Sequence, residues 1–448
     1  MEKTNGGIEY MLHKDLENKY YLQWIQFLKK TEGWDRTEIE TYQFNQLKRI
    51  INYSWDNTVG YRELWQKYSL TPQSFKSLDD INLFPCISKE DIRDRLEDFT
   101  VKLPEADYIT TGGSTGIPFG FYRTKEAFGR ELASKAWQYY RRGWKEEDRQ
   151  IVFRGLPIVS DDKTEYFPEY NELRCSSYYM TNEWLKYFAT KAMEYKPLWL
   201  RCYPSAGFLL AKFIKETKTI FPELKGILCA SENLYGFQKE YMQDVFGCRV
   251  FSHYGHYELS ALAGFCEFSD YYHVLPQYGF VQLLDDKNGQ VTTPNQLGEI
   301  VATSFIMNAT CFIRYRTRDF AKYAGNNCSQ CGRPYQIWSQ VEGRSQDFFI
   351  TKSNRYISIA AINMHDDTFD DLKYFQYYQD SPGIVVLKYV PKNTFTPSTL
   401  IKIRAKLNSK FENDIDIFFA EVDESGLART PRGKFLYLQQ KLKVGING

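Results

Sequence analysis

The chain has 448 residues, 57 basic against 56 acidic side chains and a formal net charge of +1. Its length exceeds what one hydrophobic core supports, so two or more domains are expected. The near-neutral balance gives no electrostatic case for nucleic acid or an anionic membrane surface, which leaves small molecules as the expected partners.

Nowhere do about 18 apolar residues run together, and the polar start Met1-Glu2-Lys3-Thr4-Asn5-Gly6-Gly7 lacks the apolar stretch of a secretion signal. A cytoplasmic protein without membrane insertion is expected, its oligomeric state open between monomer and homodimer. Nine cysteines, an odd number spread over a long chain, predict thiols or metal ligands rather than a disulfide framework.

In chain order, the first 150 residues read mainly as helices: Tyr20–Lys30, Glu40–Ser54, Lys89–Leu96 and Lys125–Arg142. An extended segment ends near Thr110 and another runs from Phe119 to Arg123. Between them lies Thr110-Thr111-Gly112-Gly113-Ser114-Thr115-Gly116-Ile117-Pro118. Its glycines let backbone N–H groups turn toward one point without Cβ obstruction, and its hydroxyls add donors for anionic oxygens. No lysine follows where the nucleoside-triphosphatase P-loop requires one. Taken alone, such a stretch is more often just a surface turn.

Short β-rich runs then alternate with helical segments: Ile151–Phe153, helix 181–193, Leu198–Leu200, helix 204–217, Gly226–Cys229, helix 235–245 and Arg249–Phe251. That alternation implies crossover connections and a largely parallel sheet. From Tyr278 to Lys322 strands are separated by turns such as Asp285–Gly289, which suits a smaller antiparallel unit. After Asp347 comes a compact βαβ-like segment: Ile357–Ile362, Ile384–Tyr389, helix 397–411 and Ile415–Val422. The expected fold is α/β, with a large N-terminal core domain over 1–345 and a small α+β C-terminal domain over 346–448.

Cys328-Ser329-Gln330-Cys331 has the spacing at which two thiolates point at one tetrahedral metal. Cys266 and His273 complete a Cys₃His set, which leaves no open coordination position. A structural zinc tying the 258–280 segment to the 320–335 loop is expected, against free buried cysteines behaving as small hydrophobes.

Four further motifs follow the glycine-rich loop: His253-Tyr254-Gly255-His256-Tyr257-Glu258, Arg314-Tyr315-Arg316-Thr317-Arg318-Asp319, Glu342-Gly343-Arg344-Ser345-Gln346-Asp347 and Arg429-Thr430-Pro431-Arg432-Gly433-Lys434. In that order they resemble the successive signatures of the adenylate-forming superfamily. Acyl-CoA synthetases usually carry glycine before the aspartate of the second motif. Arginine there resembles the phenylacetate–CoA ligase branch, which includes homologues associated with capsular polysaccharide biosynthesis. The resemblance covers about residues 45 to 445, with Tyr61-Arg62-Glu63-Leu64 and Ile87-Ser88-Lys89-Glu90-Asp91-Ile92-Arg93 agreeing.

The resemblance implies ATP-dependent activation of a carboxylic acid as an acyl-adenylate. Thr111, Gly112, Gly113, Ser114, Thr115 and Gly116 would hold the β- and γ-phosphates, and Glu258 would ligate or orient Mg²⁺. Asp319 would accept both ribose hydroxyls, a task that suits a carboxylate because it takes two hydrogen bonds at once. Tyr254 would lie against adenine, with Ser231 and Glu232 at the base edge. The family's Gly-Ala-Glu-Pro-like pattern is matched there only in part. Lys434 would bridge the carboxylate and the α-phosphate, as a point-charge ammonium on a flexible stem can. Arg344 would contact ribose or phosphate, and Gln346-Asp347 would be the hinge of a mobile C-terminal lid.

An acyl pocket is expected around Tyr203–Phe208, the turn after Phe153-Arg154-Gly155, and 254–264. Arg154 hints at a polar acyl group or is a structurally paired arginine, and His253 and His256 line substrate or are structural. The acceptor is open between CoA and an amine or hydroxyl compound, sugars included. Two rivals stand beside this reading: an acyl-protein synthetase using a thiol such as Cys175, Cys229 or Cys311, and a nucleotide-binding protein without catalysis.

Overall fold

The computed structural model describes residues 19–110, 119–154, 158, 160–177, 180–344, 348–353, 356–362, 367–369, 371–429 and 435–442. The helix Arg36–Asn57 starts where Asp35 accepts the Glu38 N–H at 2.9 Å while its own N–H donates to the Glu38 carboxylate at 2.8 Å. This reciprocal cap satisfies two otherwise orphaned donors. Thr124 caps Lys125–Arg141 in the simpler way, accepting the Ala127 N–H at 3.2 Å.

A 12-stranded sheet organises the larger part of the chain. Its parallel block runs in spatial order Glu172–Ser176, Gln150–Arg154, Trp199–Cys202, Gly226–Ala230 and Arg249–Gly255. Every residue of Trp199–Cys202 and Gly226–Ala230 is buried, as befits strands covered on both faces. Helices Asn182–Tyr195, Pro204–Thr217 and Gly236–Phe246 share one apolar cluster with the face carrying Ile151, Leu200, Ile227 and Val250. Lys125–Arg141 and Lys19–Lys30 share another with Trp199, Leu228 and Phe251.

The expected parallel and antiparallel blocks are both present, and they are one sheet. Leu262–Phe265 pairs antiparallel with Arg249–Gly255, and Tyr272–Val274, Ile337–Arg344, Tyr315–Gly325, Leu297–Ser304 and Gly279–Leu284 follow in order. Two strands not expected from the sequence, Glu172–Ser176 and Thr164–Phe167, complete the opposite edge. The two extended segments around the glycine-rich loop pair antiparallel, Ala106–Thr110 with Gly120–Thr124, so that loop joins their facing ends.

The last hundred residues build a four-stranded sheet with its own apolar cluster. Ile384–Pro391, helix Pro397–Lys410 and Asp416–Glu421 form the expected βαβ unit, with the strands parallel. Leu372–Ser381, not expected, pairs antiparallel with Ile384–Pro391 and parallel with Leu438–Gln440. Where a strand was expected over 357–362, a short strand Tyr356–Ser358 passes into a 3-10 turn, Ile359–Ile362. This block packs on the larger one where Tyr437 meets Tyr235 and Phe237 edge-on and accepts a hydrogen bond from Gln238 at 3.0 Å.

Candidate active site

The carboxyl ends of parallel strands are where an open α/β sheet binds ligands. Here those ends carry Ser176–Ser177, Cys202–Tyr203, Ala230–Ser231–Glu232 and, after Arg249–Gly255, His256–Glu258. Ser231 turns the chain out of its strand with φ +69°. Glu232 does not extend straight outward; its carboxylate accepts the Ser205 N–H at 3.1 Å, at the first turn of Pro204–Thr217.

Tyr254, the penultimate residue of its strand, donates to Asp319 at 2.8 Å. Burial and the Asp319 charge push the Tyr254 hydroxyl well above its ordinary value, so it stays protonated and donates. Asp319 is 9% exposed, and its N–H donates to the Thr317 hydroxyl at 3.1 Å. Arg344 is its register partner on the neighbouring strand. Two expected site residues far apart in sequence thus meet directly, and a third stands beside them.

Glu258 is held from two sides. His256 Nδ1 lies 3.0 Å from one carboxylate oxygen, and the Tyr315 hydroxyl donates to the other at 2.9 Å. Burial alone would push this carboxyl up; the bonds and charge of His256, its own backbone N–H and Tyr315 hold it down to about 2. A buried carboxylate that remains ionised is suited to a cation. His256, weighed as a substrate contact, serves as an orienting partner of Glu258, with Ser260 Oγ 3.1 Å from its other nitrogen. Tyr315 stands inside the arginine-rich motif, but spacing alone gives no sign of this bond.

Arg318 takes the left-handed backbone conformation, φ +62°, at the position where glycine is usual in acyl-CoA synthetases. Its guanidinium pairs with both carboxylate oxygens of Glu90. Thr111–Gly116, Gln346–Asp347 and Lys434 lie outside the described residues, as do the side chains of Arg154 and Arg344. Arg429 and Phe435 pair across the segment that bears Lys434. The cysteines weighed as acyl carriers, Cys175, Cys229 and Cys311, are fully buried. Burial pushes the Cys311 thiol up to about 11 and that of Cys175 well above its ordinary value, which leaves both inert at neutral pH.

Cys266, His273, Cys328 and Cys331 come together, their ligand atoms all within 4.8 Å of one another. Cys328 and Cys266 sulfurs are 3.9 Å apart, and Cys331 Sγ is 3.9 Å from His273 Nε2. An edge of a tetrahedron around zinc with Zn–S bonds of about 2.3 Å is roughly 3.8 Å. The turns have the shape that exposes sulfur to a metal: the Phe268 N–H points at Cys266 Sγ at 3.4 Å, and Gly332, at φ +75°, donates to the Cys328 carbonyl at 2.8 Å. Burial, then Arg141 and Arg333, push the His273 imidazole down to about 4, leaving it neutral with a lone pair to give. The donors fit a structural metal ion joining the antiparallel strands.

No family model matches the chain. By sequence it is similar to the phenylacetate–coenzyme A ligase of Pseudomonas putida, 23% identical over 323 residues covering 70% of this chain and 72% of that protein. The phenylacetate–coenzyme A ligase of Escherichia coli (strain K12) is 21% identical over 325 residues, 70% of this chain and 73% of that one. Among solved structures, 2-hydroxyisobutyryl-CoA ligase in the postadenylation state with 2-HIB-AMP superposes with a TM-score of 0.69 over 91% of both chains, at 17% identity. The folds are the same. Among the described residues no helix is long and apolar enough to cross a membrane.

Proposed function

We propose that this chain, an adenylate-forming ligase related to the phenylacetate–coenzyme A ligases, joins a carboxylic acid to the AMP of ATP and passes the acyl group to coenzyme A. The observation that carries the reading is the meeting of Tyr254, Asp319 and the ionised Glu258 at the carboxyl ends of the parallel strands. In the first half-reaction a carboxylate oxygen forms a bond to the α-phosphorus. The bond to the bridging oxygen breaks, and its electron pair leaves with pyrophosphate. In the second, the acceptor adds to the acyl carbon, loses its proton and releases AMP.

Each residue has a task in this scheme. Asp319 accepts the ribose hydroxyls, with Tyr254 fixing its carboxylate and packing near the base. Ser231 turns the strand end toward that base; Glu232 acts through Ser205 and the first turn of Pro204–Thr217. Thr111–Gly116 donate to the triphosphate, and Arg344, register partner of Asp319, contacts ribose or phosphate. Glu258 would hold Mg²⁺, which when bound neutralises the triphosphate. Lys434 offsets the repulsion between carboxylate and α-phosphate, the charge problem the reaction must solve. Residues 346–448 serve as the lid that carries Lys434 in and out. Cys266, His273, Cys328 and Cys331 hold a zinc ion that is structural, far from this chemistry in role.

An amine or hydroxyl acceptor, as in surface polysaccharide synthesis, is the wider form of the same proposal, and a transfer assay with CoA and amino sugars separates the two. The reaction itself is tested by acid-dependent ATP–pyrophosphate exchange across aryl, hydroxy, amino and sugar acids. Exchange should occur with at least one acid and be lost in Lys434→Ala while ATP still binds. Exchange that survives in Lys434→Ala overturns the assignment of that lysine.

A further inference from the structure

The strand Gly120–Thr124 leaves the glycine-rich loop and sends alternate side chains to opposite faces. Phe119 and Phe121 are fully buried, and by that alternation Arg123 follows them on the core-facing side. The pairing with Ala106–Thr110 runs without a register shift, so no bulge turns Arg123 outward. Its guanidinium lies over the Phe128 ring at 4.4 Å, and Phe128 is buried in the first turn of Lys125–Arg141. An arginine on a face that otherwise carries phenylalanine is costly unless its donors are met.

The protein does not meet them. Among the described residues no carboxylate or carbonyl accepts a hydrogen bond from Arg123, whose contact is the Phe128 ring. Burial draws its value down, while Glu131, Tyr257, Asp107 and Tyr278 hold it up and are therefore its titratable neighbours. The charges there are already balanced. Lys135 pairs with one Glu131 oxygen at 2.7 Å, and the Tyr278 hydroxyl donates to the other. Asp107 stands directly across the hairpin from Arg123. A second anion would upset this balance, whereas the guanidinium, all donor and no acceptor, still calls for a neutral oxygen.

Position decides what brings that oxygen. Arg123 is three residues along its strand from Gly120, roughly 10 Å from where the glycine-rich loop enters, so it stands away from the triphosphate that loop is assigned to hold. It faces Tyr257 instead, the neighbour in sequence of Glu258 and part of the segment 254–264 expected to line the acyl pocket. Tyr257 packs on the same apolar cluster as Phe121 and Phe128. We infer that Arg123 selects the acid by donating to a neutral oxygen, hydroxyl, keto or ether, on the body of the substrate, so that the chain takes an oxygenated acid in preference to its hydrocarbon counterpart. For its reaction this rests on the carboxylate-activation reading, and for its binding on Arg123 alone.

The test is ATP–pyrophosphate exchange by the full chain with matched acids: 4-hydroxyphenylacetate and mandelate against phenylacetate, and 3-hydroxybutyrate against butyrate. The oxygenated member of at least one pair should have the higher kcat/KM by roughly tenfold or more. Arg123→Leu, which suits the apolar face, and Arg123→Gln should close that gap at native melting temperature, with the KM for ATP moving far less than that for the acid. Arg123→Lys, which keeps charge and donors, should restore part of it. The hydrocarbon member favoured in every pair, or a gap unchanged in both Arg123→Leu and Arg123→Gln, overturns the inference. A KM for ATP that rises in step with that for the acid overturns it too, making Arg123 a nucleotide contact. Calorimetric titration of the same acids separates the two claims. Arg123-dependent binding of an oxygenated acid with no exchange from any keeps Arg123 and removes the reaction. Exchange indifferent to Arg123 keeps the reaction and removes its role, and neither binding nor exchange from any acid removes both.

Discussion

The Tyr254 hydroxyl donates to Asp319 across 65 positions of sequence, at 2.8 Å, joining the end of a parallel strand to an antiparallel one. The carboxylate proposed to hold the ribose is therefore oriented by the residue proposed to flank the base. Removing the hydroxyl in Tyr254→Phe deletes one bond to a charged acceptor, worth about 1.5 to 3 kcal/mol. The KM for ATP should rise roughly tenfold or more, with kcat changed less. Asp319→Asn should cost more, because it removes the charge as well. Exchange kinetics at varied ATP measure both. An unchanged KM in Tyr254→Phe removes the link between this pair and the nucleotide.

Glu258 gives a pH signature. Its carboxyl is lowered from 4.5 to about 2 in the folded chain. The depressed value means that the stability it contributes is fully present above 4.5 and is lost as pH falls through 2. Across that window the slope is at most about 1.4 kcal/mol per pH unit for one group. Glu258→Gln should flatten the acid limb of the stability curve between those values and leave the limb above pH 5 unchanged in shape. Urea midpoints measured at several pH values decide it; parallel acid limbs in the two proteins contradict the assignment.

The motifs were legible because each is a run of adjacent residues whose chemistry shows in its letters. The strand Glu172–Ser176 was not, because Glu172 and Arg174 at alternate positions read as a solvated segment. Burial reverses that reading: Glu172 accepts from Arg174 at 2.8 Å and from Arg201 at 3.0 Å, and all three are buried. Charged residues paired along one strand, and across the intervening Gln150–Arg154, occupy a core that their sequence context hides. His256 and Tyr315 were visible as residues but not as partners of Glu258, since 57 positions separate Tyr315 from that carboxylate. The strand Leu372–Ser381, paired antiparallel with Ile384–Pro391, was missed outright.

Arg318 holds a left-handed backbone, φ +62°, a conformation that costs a non-glycine residue about 1 to 2 kcal/mol. Its pairing with Glu90 is half exposed and returns about 1 kcal/mol at most. The two nearly cancel, so Arg318→Gly should leave stability close to that of the parent. Arg318→Ala keeps the backbone strain and loses the pair, and should be the less stable variant by about 1 kcal/mol. Denaturant titration of the three proteins orders them. Alanine equal to or better than glycine would mean that the backbone strain is relieved by a shift of the chain.

The four proposed zinc ligands come from three places: the turn after Leu262–Phe265, the strand Tyr272–Val274, and the turn between Tyr315–Gly325 and Ile337–Arg344. The last two strands carry Asp319 and its register partner Arg344, so the metal would brace the far end of the pair that positions Asp319. Because thiolates bind zinc in competition with protons, and because no such cluster exists in the unfolded chain, binding energy becomes folding energy. Elemental analysis after dialysis should find about one zinc per chain. Cys328→Ser should lose the metal, melt lower and become insensitive to chelator, while the parent loses stability when chelated. A metal-free parent whose melting is unchanged by chelator and by Cys328→Ser would leave the four residues as a cluster of buried thiols around a histidine, and the bracing of Asp319 would then fall to the strand pairing alone.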